Sequence, residues 1–279
     1  MKKIYHVINP YKAKEGSSAY IEQKKTLDSL FNALHFVGRN FEVILLMKVF
    51  DVDYDYFSEL YGSCSKVCIV KLTTETSKIH PPFKTPRQLP LLDDFLNLEI
   101  LSRDANDDDI VLVTNMDICV QPFFYIEILR IRNTGRDVFV INRRTVSKEL
   151  INDELIEAYV SEGDKHIGHD CFVFPFKLLK LFDIRDHILG IGFVFRPFLL
   201  NCILHATVFD EFDDVFLTFH YGDDMSWKDD KFDDYLEHNK NRLIAVYRDN
   251  QDLIELANAD ERKKKWIDKF FNFSFLEEC

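Results

Sequence analysis

Apolar residues in this chain fall into short continuous runs, separated by stretches where they recur at helical spacing, and that alternation predicts an α/β protein with a mostly parallel sheet. Residues 4–8 form the first run, which stops at Asn9-Pro10, and residues 42–47, 67–70 and 138–141 form others of strand length. Between the first two, Gly16-Ser17-Ser18 reads as the cap of a helix carrying Tyr20, Leu27, Leu30, Phe31 and Leu34 on one face. Residues 89–101 read as a second helix, 123–131 as a third that starts after Pro122, and 149–159 and 197–206 as two more. Residues 215–219 read as a late strand, and everything from Trp227 as a charged helical tail.

The run at 107–118 carries the most information. Asp107, Asp108 and Asp109 feed Ile110-Val111-Leu112-Val113, and the run then ends abruptly in Thr114, Asn115 and Asp117. A fully buried central strand delivers polar side chains to a ligand cleft at its carboxyl end in this way. The acidic triplet lies at the opposite end of that strand and cannot share the cleft. Two loops complete the pattern: residues 71–90, with Pro81, Pro82, Pro86 and Pro90, and the polar segment Gly163 to Cys171 that turns into a short apolar strand.

With 279 residues the chain is large enough for a substantial core, and 26 phenylalanines make that core aromatic. No repeat, low-complexity tract or Pro/Gly/Ser linker divides it. Charge then excludes one class of partner: 35 Lys+Arg against 47 Asp+Glu give −12, which opposes the counterion release that drives nucleic-acid binding. No apolar run approaches the ~20 residues of a membrane span, and no signal-peptide core follows Met1, so a cytoplasmic protein is expected. Six cysteines without a C-x-x-C pair predict buried free thiols rather than disulfides or zinc ligands.

Candidate chemistry gathers at polar strand ends. Asn115 and Asp117, as alternate residues at a strand tip, face one bound species, and a carboxylate there is a hard oxygen ligand for Mg²⁺ or Mn²⁺ on a diphosphate. The same residues equally make a polar turn capping the next helix. His220, followed by Tyr221-Gly222-Asp223-Asp224, is a candidate metal or phosphate ligand, though a histidine after a strand is more often structural. Asp170, preceded by His166 and His169, is a candidate general base for an acceptor hydroxyl, with a local turn aspartate as the alternative. Arg87, Arg143 and Arg144 match phosphate oxygens in shape, and Arg143 and Arg144 taken singly read as solvated surface charges. G-x-G-x-x-G, Walker A and G-x-S-x-G motifs are all absent.

Taken together, the strand ending in Asn115-Met116-Asp117, the segment Gly168 to Phe174 and the segment Phe219 to Asp224 resemble those of GT-A-fold glycosyltransferases of a bacterial type, over roughly residues 3–230. The resemblance implies a Rossmann-like α/β domain at 1–235, with a nucleotide-binding half to about 118, an acceptor half from 119, and a helical tail at 236–279. It implies a nucleotide-sugar donor with base and ribose near Asn9 and Pro10, Arg87 on the donor side, and diphosphate and a divalent metal, Mn or Mg, at Asp117 with His220. It also implies Asp170 facing a glycan or lipid-linked acceptor, as in polysaccharide biosynthesis. Asn115 departs from the family pattern, which has an acidic residue there, and an amide is a weaker, neutral ligand. A sugar-phosphate nucleotidyltransferase is the rival enzyme, although residues 9–18 offer only Gly16 for its phosphate loop. A non-catalytic module binding nucleotide sugars or glycans is the rival of another class. In the tail, Arg262 to Lys265 and Lys269 beside Trp266, Phe270, Phe271 and Phe273 predict a closing helix with its aromatics on the core, or a peripheral contact with the inner face of an anionic membrane.

Overall fold

A computed structural model describes residues 2–37, 41–76, 83–99, 104–222 and 232–271. Its central feature is a mixed sheet. Strands β1 (Lys2–Ile8), β2 (Phe41–Val49), β3 (Val67–Lys71) and β4 (Ile110–Thr114) run parallel in the order β3-β2-β1-β4. The sheet continues with β7 (Asp164–Pro175), antiparallel to β4, then β6 (Val138–Val146), β9 (Thr218–Tyr221) and β5 (Cys119–Val120), while β8 (Phe209–Phe212) lies on β6. Strands β1, β2 and β4 are nearly continuous apolar runs because both faces are covered, Ile4, Leu45 and Leu112 being buried on one face and Val7, Leu46 and Val111 on the other, while edge strand β3 is only half-buried. Each such side chain contributes roughly 1.5–3 kcal/mol by leaving water.

Helix α1 (Ser18–His35) follows β1, and its start is fixed by Ser17, whose hydroxyl accepts from the Tyr20 amide at 3.2 Å. Helix α2 (Asp51–Tyr61) joins β2 to β3, and α4 (Phe124–Asn133) joins β5 to β6. At the sheet's other end Asp109 is buried and accepts from the backbone amides of Lys3 and Asn106, so this member of the acidic triplet pins the start of β4 to β1.

By its contacts the chain divides into two compact units, each drawn from three segments: 1–72, 101–176 and 210–224 in the first, and 73–100, 177–209 and 225–279 in the second. The first holds the sheet. The second is helical, with α3 (Leu92–Phe95), α6 (Phe195–His205), α7 (Asp233–Asp249), α8 (Gln251–Ala259) and α9 (Glu261–Phe270). Buried Asn239 stitches it together, accepting from the Ile188 amide and donating to the Ile188 and Gly192 carbonyls. Asp94 takes four hydrogen bonds from the amides and hydroxyls of Thr73 and Thr74. In α9, Trp266 and Ile267 are buried and Trp266 meets Phe209 edge-on at 5.4 Å, while Lys264 and Lys265 stay in water. Of the aromatics expected on the core, Trp266 and Phe271 are buried.

Several expected elements differ. The helix at 89–101 is a single turn, Leu92–Phe95, and Leu101 lies outside the described residues, as do Pro81, Pro82, Asp223, Asp224, Trp227, Phe273 and Cys279. The helix at 149–159 is a 3₁₀ turn, Lys148–Asn152, followed by α5 (Leu155–Val160). The polar segment from Gly163 is no loop, because all of Asp164–Pro175 is strand β7. β6 runs on to Val146, so Arg143 and Arg144 stand inside a strand rather than beyond one. The late strand covers Thr218–Tyr221 instead of 215–219, which places His220 within it.

Candidate functional site

Strand order reverses direction at β1 and β4, which are adjacent and parallel with Val7 opposite Val113. Open α/β sheets bind ligands in the crevice at the carboxyl ends of such a pair. Asn9 and Pro10 follow β1 there, and Asn115 and Asp117 follow β4. The Asn9 side chain donates to the Lys48 carbonyl at 2.5 Å and so ties the end of β1 to β2, while Pro10 is buried.

β4 stops at Thr114, so Asn115 and Asp117 belong to a tight turn in which the Ile118 amide donates to the Asn115 carbonyl. Their polar-turn reading is thus correct locally, although the turn leads into β5 and not into a helix. β5 pairs with β9, Cys119 against Phe219, and this ribbon brings His220 to Asp117. Nε2 of His220 lies 3.4 Å from Asp117 Oδ2, and its Nδ1–H donates to the Gly222 carbonyl at 2.7 Å. A carbonyl only accepts, so Nδ1 carries the proton and the Nε2 position is aimed at the carboxylate. Asp117 Oδ1 is buried and has no hydrogen-bond partner, although 44% of the side chain is exposed.

Burial pushes the Asp117 carboxyl up, but His220 and then Arg143 outweigh it and hold the group below the usual carboxylate range. For His220, burial pushes the imidazole down, and the bond to Asp117 with its charge more than compensates, so it titrates above an ordinary histidine. Asp170 goes the other way. Burial raises its pKa, and the Asp117 charge adds to that against the lowering effect of Arg143.

Asp170 reaches this place through an irregular ladder. Ile141 of β6 faces Cys171 of β7, yet Asn142 faces His169 and Arg144 faces Lys165, with register shifts between these pairs. Asp170 is the extra residue at the first shift, and such a bulge re-aims a side chain. It turns toward Arg143, whose Nη1 lies 3.4 Å from Oδ1, with only 11% and 10% of the two side chains exposed. His166 completes the group: its Nε2 is 3.3 Å from Arg143 Nη2, its Nδ1 accepts from the Gly168 amide at 2.9 Å and lies 3.9 Å from Asp170 Oδ2. Arg144 is also nearly buried. The surface-charge reading of Arg143 and Arg144 is therefore wrong, because both were placed after a strand that in fact contains them. The β-favouring Thr145-Val146 after the charged pair was the signal that the strand continues.

His169, on the same strand, instead lies 3.2 Å from Glu211, which also accepts from the Asn142 amide group. Arg87 belongs to the helical unit, where its guanidinium lies 4.8 Å over the Phe232 ring and its amide donates to the Tyr235 hydroxyl. Thus Asp117, His220, Arg143, Asp170 and His166 meet in the first unit. Among the described residues no three His, Cys, Asp or Glu side chains form a metal-binding group. No helix among them is long and apolar enough to cross a membrane.

No protein-family model matches the sequence, and no curated protein matches it. Solved structures do match the fold. A structure of S. aureus TarS 1-349 in complex with UDP-GlcNAc is 15% identical over 88% of this chain with a TM-score of 0.50. Its complex with UDP is 14% identical, again over 88% of this chain with a TM-score of 0.50. The chain spans 66% and 65% of the TarS chain in those two structures. At this identity the likeness speaks for architecture alone, and that architecture, a mixed sheet flanked by helices with helices at its C-terminal end, is GT-A-like.

Proposed function

We propose that this protein transfers a sugar from a nucleotide-activated donor to a hydroxyl of a glycan or lipid-linked acceptor. The observation that carries the reading is the meeting of Asp117, His220, Arg143 and Asp170 beside the point where the sheet reverses direction. The GT-A-like fold, shared with a protein solved with UDP-GlcNAc, makes a uridine diphosphate sugar the first donor to test.

A divalent cation fits Asp117 and His220. The Nδ1–H of His220 is anchored on a carbonyl, as in most metal-bound histidines, so Nε2, 3.4 Å from Asp117 Oδ2, would be the nitrogen offered to a cation once it loses its proton, and Asp117 Oδ1 has no other partner. When bound, Mn²⁺ or Mg²⁺ would act as a Lewis acid on the leaving diphosphate. Asn115 adds only a neutral amide, so a cation held by Asp117 and His220 would take its remaining oxygens from the donor's phosphates and water. Arg143 adds a fixed positive charge near the same place.

Asp170 is the base. Burial raises its pKa, which makes the carboxylate a better proton acceptor than an exposed aspartate. In an inverting displacement the acceptor oxygen bonds to the anomeric carbon, the bond from that carbon to the phosphate oxygen breaks, and the acceptor proton passes to Asp170. Asn9 and Pro10 line the nucleoside side. Exposed Lys264, Lys265 and Lys269 on α9 offer a contact with anionic lipid for a lipid-linked acceptor. The direct test is release of nucleoside diphosphate from a panel of nucleotide sugars with candidate acceptors. Wild type should turn over at least one, and Asp170→Asn should lose about 10²- to 10⁴-fold in kcat while still binding the donor. Full activity in Asp170→Asn would remove the base assignment, and no turnover with any donor would remove the transferase reading.

A further inference from the structure

Asp170 is an unevenly satisfied carboxylate. Oδ1 faces Arg143 at 3.4 Å, while Oδ2 is buried with no hydrogen-bond partner. A buried carboxylate oxygen left without a partner is costly, and persists where another group is to be its partner. The nearest ring nitrogen, His166 Nδ1, is 3.9 Å away and already accepts from the Gly168 amide, so it is turned to the backbone. His166 presses against Gly168 so closely that a Cβ there would lie 2.6 Å from its Cε1, and its far nitrogen stands 3.3 Å from Arg143 Nη2.

We propose that Arg143 is the positioning residue of this site: it holds Asp170 by Oδ1, so that Oδ2 is the oxygen that receives the acceptor's proton. This rests on the reading of Asp170 as base and adds which oxygen acts and what aims it. Atoms balance simply, since the acceptor hydroxyl loses its proton to Oδ2 as its oxygen bonds to the anomeric carbon. The charged and titratable groups around Asp170 come from every neighbouring element: Arg143 on β6, His166 and Cys171 on β7, Asp117 in the turn after β4 and His220 on β9. Arg143 is the cation among them that touches the carboxylate through a guanidinium, whose planar geometry fixes orientation as well as charge.

The test is Arg143→Ala in the full chain. Transfer kcat should fall about 100-fold with the donor KM changed less than about threefold, and added guanidinium should restore at least about tenfold of the loss where urea restores none. A packing defect would not respond to guanidinium. In parallel, the ¹³C carboxyl resonance of Asp170 should titrate at higher pH in Arg143→Ala than in wild type, and Arg143→Lys, which keeps the charge, should titrate close to wild type with intermediate kcat. An unchanged kcat, no rescue in a folded variant, or an Asp170 titration indifferent to Arg143→Ala would overturn the proposal. If Arg143→Ala does not fold, an Arg143→Lys variant with wild-type kcat overturns it and an intermediate kcat supports it. If wild type transfers no sugar at all, the base reading fails, and the titration still decides whether Arg143 sets the state of Asp170.

Discussion

His6 lies wholly buried in the sheet, with Nδ1 2.9 Å from the Tyr125 hydroxyl and Nε2 2.9 Å from Thr114 Oγ1. Burial lowers its pKa to about 3, so the folded protein keeps this ring neutral while the unfolded chain protonates it near pH 6.5. Between those values the unfolded state binds more protons. The stability that depends on neutral His6 is therefore full above about pH 6.5 and is lost as pH falls toward 3. His187, lowered to about 4, acts in the same direction. Replacing His6 by Gln should flatten this loss: from pH 7 to pH 4.5 the urea midpoint of wild type should fall further than that of His6→Gln, and parallel falls would contradict the assignment. At this scale the sequence was informative about residue types but not about partners. Asp117, His220 and Asp170 stand out as polar groups at strand ends, whereas their convergence depends on the β5–β9 ribbon and a bulge, neither of which leaves a periodic trace. Arg143 was misread for the same reason, since a charged pair after four apolar residues looks like a strand end.

Among the elements, β7 and α1 make separate predictions. β7 is read as loop from its glycines and histidines, yet the irregular ladder with β6 accommodates them, and polar residues on a strand that lines a cleft break the alternation used to find strands. Gly168→Ala should test that geometry. A Cβ there would stand 2.6 Å from the His166 ring and 3.5 Å from Asp170 Oδ2, so the ring must move, and transfer should fall while overall stability changes little. A fully active Gly168→Ala would show that His166 is not braced there. α1 was legible because its cap and its face agree. Ser17→Ala removes the cap to the Tyr20 amide and should cost about 1 kcal/mol in denaturant unfolding with catalysis unchanged. A loss below about 0.3 kcal/mol would mean the cap is replaced by water. The helix at 89–101 is cut to the one turn Leu92–Phe95, whose Asp94 side chain is engaged with Thr73 and Thr74.

At the scale of the molecule, the βα alternation was enough for the parallel half of the sheet, where β1, β2 and β4 are buried on both faces, and not for the antiparallel half, whose strands carry the polar residues of the site. The two compact units were also invisible in sequence order, because each is assembled from three separated segments and neither is set off by a linker. A formal charge of −12 disfavours polyanions in general, so any nucleotide donor must be held by local groups, and Asp117 with a cation is the place assigned to its diphosphate. Isothermal titration of UDP-sugars into the full chain, with and without Mn²⁺, and into Asp117→Ala, tests that assignment most directly. The account predicts donor binding to wild type that strengthens about tenfold or more with Mn²⁺, and no Mn²⁺ effect in a folded Asp117→Ala. Equal binding by wild type and Asp117→Ala at every Mn²⁺ concentration would contradict it.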